Sequence, residues 1–269
     1  MRLSAPVIPP RTPPPPPHLP LSSIFPISSP ALLAGLPANI QLFNLRQDRW
    51  IQINSFSSRA SATSVSVWAT HYQVHLARSA PQGEPLLDLD GRSLGPMLSQ
   101  RDWCYAAIQG TARVTDPFGN NTTYNFAGRG DIPQVDCSSF FTSLSPEIVA
   151  KVNRARFKVS KLPYGYGNGK YRMVPYRTIA VDRSRFPLGS VFYIPAARGR
   201  VVTLPSGDRV THDGFFYAAD VGSAIQGNHI DIFLGTAQRN PFPFITSRPS
   251  GTFQAFLVQD ATIRQVFTA

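Results

Sequence analysis

The chain has 269 residues, of which 42% are hydrophobic, 11% aromatic and 15% charged, and its formal net charge is +11. This apolar content is enough for a sizeable core, while the low charged fraction excludes a coiled coil and a charge-rich disordered protein. The positive charge favours an acidic partner, such as a nucleic acid, an anionic membrane or an anionic cell-wall polymer, and does not distinguish among them.

Residues 1–64 are predicted to form a proline- and serine-rich leader or linker that is disordered. Twelve of the 26 prolines precede residue 38, and five are consecutive from Pro13 to Pro17, which favours an extended polyproline conformation. Within this leader, residues 42–53 have the character of a short strand or helix. The apolar stretch 24–43 contains three prolines and is not a convincing secretory signal. No apolar run in the sequence reaches the ~20 residues of a transmembrane helix.

Residues 65–262 are predicted to form one mainly β domain, a small closed barrel with long loops, and residues 263–269 a short tail. Short β-branched and aromatic runs alternate there with turn residues. The strand candidates are 65–76, 105–114, 122–126, 172–181, 190–195, 215–220, 229–234 and 253–258. One short helix is predicted after Ser145, because Pro146 suits the first helical position and apolar residues follow it. Cys104 and Cys137 either form a disulfide or remain two buried thiols.

Three aspartates lie in or directly after apolar strands, where a carboxyl group is poorly solvated. Asp182 follows the strand candidate that ends at residue 181, Asp220 closes the run 215–220, and Asp231 lies within 229–235. Poor solvation raises the pKa of a carboxyl group, and a general acid needs a raised pKa to be protonated near neutral pH. The glycines between Asp220 and Asp231 permit a tight crossover that brings these two residues close together.

Two other interpretations of the aspartates remain open at this point. A strand-end aspartate often caps a neighbouring turn by accepting hydrogen bonds from backbone N–H groups. Three carboxylates are also suitable ligands for magnesium, manganese or calcium. No loop has ligand spacing such as that of an EF-hand, so neither a metal nor a cofactor is predicted.

Residues 177–189 and 219–235 resemble the 3D domain, a family that is named for three aspartates. It occurs in MltA-type membrane-bound lytic transglycosylases and in small secreted muralytic factors, and the eleven-residue step from Asp220 to Asp231 matches its pattern. Upstream, residues 68–72 resemble the opening strand of the family, and 103–111 and 124–130 resemble the barrel strands that follow. Ser223 and Gln226 depart from the family pattern, which commonly has glycine and lysine at these positions.

This resemblance implies a double-psi β-barrel that acts on peptidoglycan glycan strands. Asp231 corresponds to the single catalytic acid and base, which cleaves the bond between N-acetylmuramic acid and N-acetylglucosamine and leaves a 1,6-anhydro end. Asp220 would hold Asp231 or the substrate by hydrogen bonds, and Asp182 would order the adjoining loop. The residues expected to bind substrate are Thr70, Tyr72, Gly222, Gln226, Gly227 and His229. His229 shares a strand face with Asp231, where it is either a second titrating group or a structural residue.

The function expected from the sequence is a peptidoglycan lytic transglycosylase of the cell envelope, periplasmic or secreted. We expect a monomer with no nucleic-acid partner. The alternative is a non-catalytic, expansin-like module that binds cell-wall polysaccharide.

Overall fold

The computed structural model describes residues 40–45, 48–53, 62–169 and 171–268, and this part of the chain is mainly β. Its strands are β1 (Ile40–Leu45), β2 (Asp48–Ile53), β3 (Ala62–Tyr72), β4 (His75–Arg78), β5 (Glu84–Leu87), β6 (Ser93–Leu98), β7 (Thr111–Thr115), β8 (Asn121–Arg129), β9 (Ala155–Ser160), β10 (Thr178–Val181), β11 (Val191–Tyr193), β12 (Val201–Thr203), β13 (Arg209–Thr211), β14 (Phe215–Asp220), β15 (His229–Phe233) and β16 (Phe253–Val258). The α-helices are α1 (Gln100–Gln109), α2 (Pro146–Val152) and α3 (Ala261–Thr268). None of these described helices is long and apolar enough to cross a membrane.

Six of these strands close into a barrel in the order β10, β14, β11, β16, β3, β15. The pairs β10–β14 and β3–β15 are parallel, and the other neighbours are antiparallel. Alternate residues of the strands fill the barrel interior, where Val67, Ile179, Phe216 and Ile232 belong to one buried cluster. The prediction of a mainly β fold with a closed barrel is confirmed.

β14 is apolar on both of its faces because both faces are buried. Phe216 belongs to the barrel core, whereas Phe215 and Tyr217 pack against Phe267 of α3. Asp260 begins this helix by accepting hydrogen bonds from the N–H groups of its first turn. The prediction of a short tail is therefore wrong for residues 263–268, because they belong to α3, which packs on the barrel strand β14.

The hairpin formed by β1 and β2 packs on the barrel through Trp50. This side chain is buried, and the guanidinium carbon of Arg177 lies 3.8 Å from its ring centroid. Asp213 pairs with Arg177 and accepts a hydrogen bond of 2.7 Å from the backbone N–H of Ile53. The prediction of a disordered leader up to residue 64 is thus wrong for 40–45, 48–53 and 62–64, while residues 1–39 lie outside the described residues.

A second sheet, with the order β4, β7, β8, β9, is inserted between β3 and β10. Its own core contains Trp103, Phe157 and the disulfide between Cys104 and Cys137. The prediction that residues 103–111 and 124–130 form barrel strands is therefore wrong, because they belong to α1, β7 and β8 of this insert. The strand candidate 65–76 likewise divides, since β3 lies in the barrel and β4 in the insert.

The helix α1 occupies part of a segment that the sequence pattern assigned to a strand. Ser99 caps its first turn by accepting from the N–H of Asp102, and Gly110 ends it in the left-handed conformation with φ 74°. Both capping signals are local, whereas the aromatic and β-branched residues of 105–114 are typical of a strand. The helix predicted after Ser145 is confirmed as α2, with Ser145 as its cap and Pro146 in its first turn.

Candidate active site

The barrel brings Asp220 and Asp231 to the two sides of one alanine. Ala180 of β10 is the register partner of Asp231 on β15 and of Asp220 on β14, and a register shift follows Ile179. Because paired residues of neighbouring strands project from the same face of a sheet, both carboxyl groups lie beside the small Ala180 side chain. The tertiary pairing of three strands thus assembles a pair of carboxyl groups from residues 11 positions apart in the chain.

Asp231 is a partly buried carboxyl group whose pKa is raised to about 7. Burial is the main cause, and the charge of the nearby Asp220 acts in the same direction. The hydroxyl of Thr70, its register partner on β3, donates a hydrogen bond of 2.6 Å to Oδ1 and opposes these effects. Asp231 therefore exchanges a proton close to neutral pH.

Asp220 is held more firmly than Asp231, and it is the stronger acid of the two. Burial raises its pKa to about 6, while hydrogen bonds from the backbone N–H of Val221 and from the Tyr72 hydroxyl favour its charged form. The Tyr72 bond to Oδ2 measures 2.9 Å, and burial together with the two carboxyl groups raises the pKa of Tyr72 well above its usual value. Since the pair is coupled, the first charge resides mainly on Asp220 and the last proton on Asp231.

Asp182 differs from the other two aspartates. Its pKa is lowered, because it accepts hydrogen bonds from the side chain and backbone of Ser184 and from the backbone N–H of Gly227 at 2.8 Å. The expectation that all three aspartates are poorly solvated is therefore wrong for Asp182, which follows the end of β10 and connects it to the 221–228 loop.

The 221–228 loop connects β14 to β15 and depends on two of its glycines. Gly227 has φ 63°, a conformation that disfavours side chains. A Cβ on Gly222 would lie 2.7 Å from a side-chain carbon of Ile225, so this position has no room for a larger residue. Gln226 is exposed, and its carbonyl accepts a hydrogen bond of 3.2 Å from the backbone N–H of His229.

A cleft lies between the barrel and the inserted sheet, and both aspartates open into it. The barrel contributes Tyr72, Ala180, Val221, Gly222, Ser223 and the two aspartates, and the insert contributes residues 107–111, Asn125, Phe126, Arg129 and Tyr166. Of the predicted substrate-binding residues, Tyr72 and Gly222 line this cleft. Thr70, Gln226, Gly227 and His229 are not among its lining residues.

The cleft residues of the insert were not predicted from the sequence. Asn125 is buried, accepts a hydrogen bond from the backbone N–H of Tyr166 and donates one of 3.2 Å to the carbonyl of Gly110. The alternation of β8, which places Asn125 on the same face as Thr123, is the sequence signal that could have drawn attention to it. Its place opposite Asp220 and Asp231 is a result of the tertiary fold alone.

Ser223 connects the two walls of the cleft. Its hydroxyl accepts a hydrogen bond of 2.7 Å from a guanidinium nitrogen of Arg129, which also lies over the ring of Phe126. Burial and the charge of Arg154 lower the pKa of Arg129. The serine that departs from the family pattern thus holds a cationic side chain at the cleft.

His229 contacts Asp231 indirectly, through the hydroxyl of Thr70. Its Nε2 lies 2.8 Å from Thr70 Oγ1, its Nδ1 lies 3.3 Å from the carbonyl oxygen of Ala224, and its ring stacks on Trp68 with 3.6 Å between centroids. Burial lowers the pKa of His229, which favours the neutral imidazole.

In the part of the chain that the structure describes, no three His, Cys, Asp or Glu side chains form a group that could hold a metal ion.

Comparisons with known proteins identify one family and a set of solved structures. A search of curated proteins found no match. Similar solved structures include E. coli MltA with bound chitohexaose, at 16% identity and TM-score 0.49, covering 74% of this chain and 76% of that one. A membrane-bound lytic murein transglycosylase from Agrobacterium tumefaciens has 18% identity and TM-score 0.46, covering 76% and 78%. MltA from Neisseria gonorrhoeae has 13% identity and TM-score 0.43, covering 79% and 75%.

The family model of the 3D domain matches residues 177–240, a range that includes Asp182, Asp220 and Asp231. Thr70 and Tyr72, which complete the hydrogen bonding of the two cleft aspartates, come from β3 outside this range. The resemblance to the 3D domain that the aspartate-containing strands indicate is confirmed for residues 177–240 of this chain.

Proposed function

We propose that the protein is a peptidoglycan lytic transglycosylase, in which Asp231 acts first as general acid and then as general base. The observation that carries the proposal is a carboxyl group with a pKa of about 7 at the wall of a cleft, within the stretch that matches the 3D domain. The substrate class comes from the family resemblance, and the cleft supports general acid and base catalysis by Asp231.

The acid step needs a carboxyl group that still carries its proton near neutral pH. Asp231 meets this condition because it is buried and because the charge on Asp220 makes a second ionisation unfavourable. In the proposed reaction Asp231 gives its proton to the glycosidic oxygen between N-acetylmuramic acid and N-acetylglucosamine. The bond from the muramoyl C1 to that oxygen then breaks, and C1 acquires positive charge.

The base step restores the protonated form of Asp231. The Asp231 carboxylate accepts the proton of the muramoyl C6 hydroxyl, whose oxygen bonds to C1 and closes a 1,6-anhydro ring. One carboxyl group is sufficient for this sequence, whereas the usual two-carboxylate glycosidases either activate a water or form a covalent intermediate. Asp220 remains charged through both steps, held by Tyr72 and the Val221 N–H, and favours the protonated form of Asp231.

The other predicted site residues support the cleft by shaping its walls. Gly222 leaves space for the side chain of Ile225, and Gly227 lets the loop return to β15 while its N–H donates a hydrogen bond to Asp182. The proposed role of Asp182 is to order this loop, and that of Gln226 is to hold the start of β15 through its carbonyl.

Two finer features belong to the same proposal. The two parallel strand pairs within a six-stranded closed barrel support a double-psi β-barrel. A peptidoglycan substrate also implies a location in the cell envelope, periplasmic or secreted.

The test is product analysis after incubation of the native protein with purified peptidoglycan sacculi. We expect soluble muropeptides with 1,6-anhydro ends, detected by mass spectrometry, and no such products from Asp231→Asn. The matched control is Asp90→Asn, the same chemical change at an exposed turn between β5 and β6, which should retain activity.

Three outcomes contradict the proposal in distinguishable ways. Binding of sacculi without release of products indicates the non-catalytic wall-binding module. Products with reducing ends, formed with uptake of water, indicate that Asp220 acts as a second catalytic carboxylate. Anhydro products that persist in Asp231→Asn show that another group supplies the proton.

A further inference from the structure

Asp231, Thr70 and His229 form a continuous chain of hydrogen bonds that runs from the cleft into the barrel wall. The Thr70 hydroxyl lies 2.6 Å from Asp231 Oδ1 and 2.8 Å from His229 Nε2. Neither Thr70 nor His229 lines the cleft, and the His229 residue is only 6% exposed. Both side chains therefore reach the cleft chemistry only through the Asp231 carboxyl group.

The single hydroxyl proton of Thr70 links the states of its two neighbours. When Asp231 is ionised, the hydroxyl donates to the carboxylate, so Thr70 Oγ1 can only accept from His229 and Nε2 carries the imidazole proton. When Asp231 is protonated and the cleft holds no substrate, Asp231 donates its proton to Thr70 and the hydroxyl donates to His229, so Nε2 is bare and Nδ1 carries the proton. In that second state Nδ1 has an acceptor, the carbonyl oxygen of Ala224 at 3.3 Å.

The switch requires a neutral His229, and burial of the ring favours that form. Burial lowers its pKa, and its ring is fixed by stacking on Trp68 of β3. The other two aspartates of the motif already have hydrogen-bond partners: Tyr72 and Val221 for Asp220 of β14, and Ser184 and Gly227 for Asp182 after β10.

We propose that His229 is a positioning residue whose tautomer follows the protonation state of Asp231, so that the carboxyl group is hydrogen-bonded both as an acid and as a base. The proton count of the imidazole does not change. One proton leaves Nδ1 and one arrives at Nε2, with solvent water as the carrier, while the Thr70 hydroxyl rotates between its two acceptors. The catalytic consequence rests on the proposed function, but the coupling itself does not.

The coupling can be tested without any substrate, by nitrogen-15 NMR of the histidine side chains from about pH 5.5 to about pH 8.5, which brackets the Asp231 titration. The signals of His229 are identified by their loss in His229→Gln. We expect the Nδ1–H tautomer at the acid end, the Nε2–H tautomer at the alkaline end, and a tautomer that is independent of pH in Asp231→Asn.

Three results would overturn the proposal: a single tautomer at every pH, conversion of His229 to imidazolium at the Asp231 midpoint, or a tautomer change that persists in Asp231→Asn. Each of these can be obtained even if the protein releases nothing from sacculi. Failure of the coupling and failure of the proposed function are therefore separate outcomes.

If the lytic activity is found, a pair of variants separates hydrogen bonding from packing. His229→Phe keeps an aromatic ring against Trp68 but lacks both nitrogens, and we expect kcat to fall at least about tenfold with little change in KM. His229→Gln can both donate to and accept from Thr70, and we expect it to retain most of the native kcat. A higher kcat for His229→Phe than for His229→Gln would show that His229 acts only by stacking.

Discussion

Replacement of Asp231 by asparagine should stabilise the folded protein by an amount that grows with pH. The pKa of this carboxyl group rises from the ordinary 3.8 to about 7 on folding, so the folded state binds more protons than the unfolded state between these pH values. The contribution of this carboxyl group to the free energy of unfolding is therefore fully present below pH ~4 and is lost as the pH rises to ~7. Because each pKa unit is worth about 1.4 kcal/mol, the loss is about 4 kcal/mol, and screening at the partly exposed Asp231 reduces it to about 2–4 kcal/mol.

The assay is urea unfolding of the native protein, Asp231→Asn and Asp90→Asn at pH 4 and pH 8, with the disulfide intact. Asparagine has the shape of aspartate, can still accept from the Thr70 hydroxyl and has no charge to desolvate. We expect the stability difference between Asp231→Asn and the native protein to be about 2–4 kcal/mol more favourable to the variant at pH 8 than at pH 4. The exposed control should show no such change. A difference that is equal at the two pH values would refute the reasoning, because it would mean that Asp231 is well solvated in the folded protein.

Three further predictions concern the support of the site and the fold. Tyr72→Phe removes a hydrogen bond that favours the charged form of Asp220, so the pKa of Asp220 should rise. Carbon-13 NMR of the carboxyl groups measures this pKa, and an unchanged or lower value would contradict the role given to Tyr72. Replacing Cys104 and Cys137 together by serine should lower the free energy of unfolding by about 2–4 kcal/mol in denaturant titrations, and equal stability would contradict this. Trp50→Ala should cost about 3–5 kcal/mol in the same assay, and a loss below about 1 kcal/mol would show that the N-terminal hairpin contributes little to the barrel.

Local patterns in the sequence were sufficient for several elements. Ser145 followed by Pro146 predicted α2, since capping is decided by neighbouring residues. The apolar run that ends at Asp220 and the alternation around Asp231 predicted β14 and β15. The same kind of pattern failed at α1, where aromatic and β-branched residues indicated a strand although Ser99 and Gly110 bound a helix.

The partners of the N-terminal and C-terminal segments were not readable from the sequence. Trp50 lies in a stretch whose neighbours resemble a linker, and its burial depends on Arg177 and Asp213, which are more than 100 residues away in the chain. Phe267 similarly looks like part of a tail until β14 is present for it to cover. Contacts at such separations carry no periodic signal.

For this protein, the amino-acid sequence by itself determined the mainly β character, the 3D-domain motif and the identity of the aspartates, because these depend on residue type and on spacing along one strand. Only the tertiary structure decided which aspartates share an environment. Strand pairing places Ala180 between Asp220 and Asp231 and leaves Asp182 hydrogen-bonded outside the cleft, where its pKa is lowered instead of raised. The insert and Thr70 reach the site through pairings of distant segments, and Thr70 in turn links His229 to Asp231. The solvation that governs a carboxyl pKa exists only after those segments have come together.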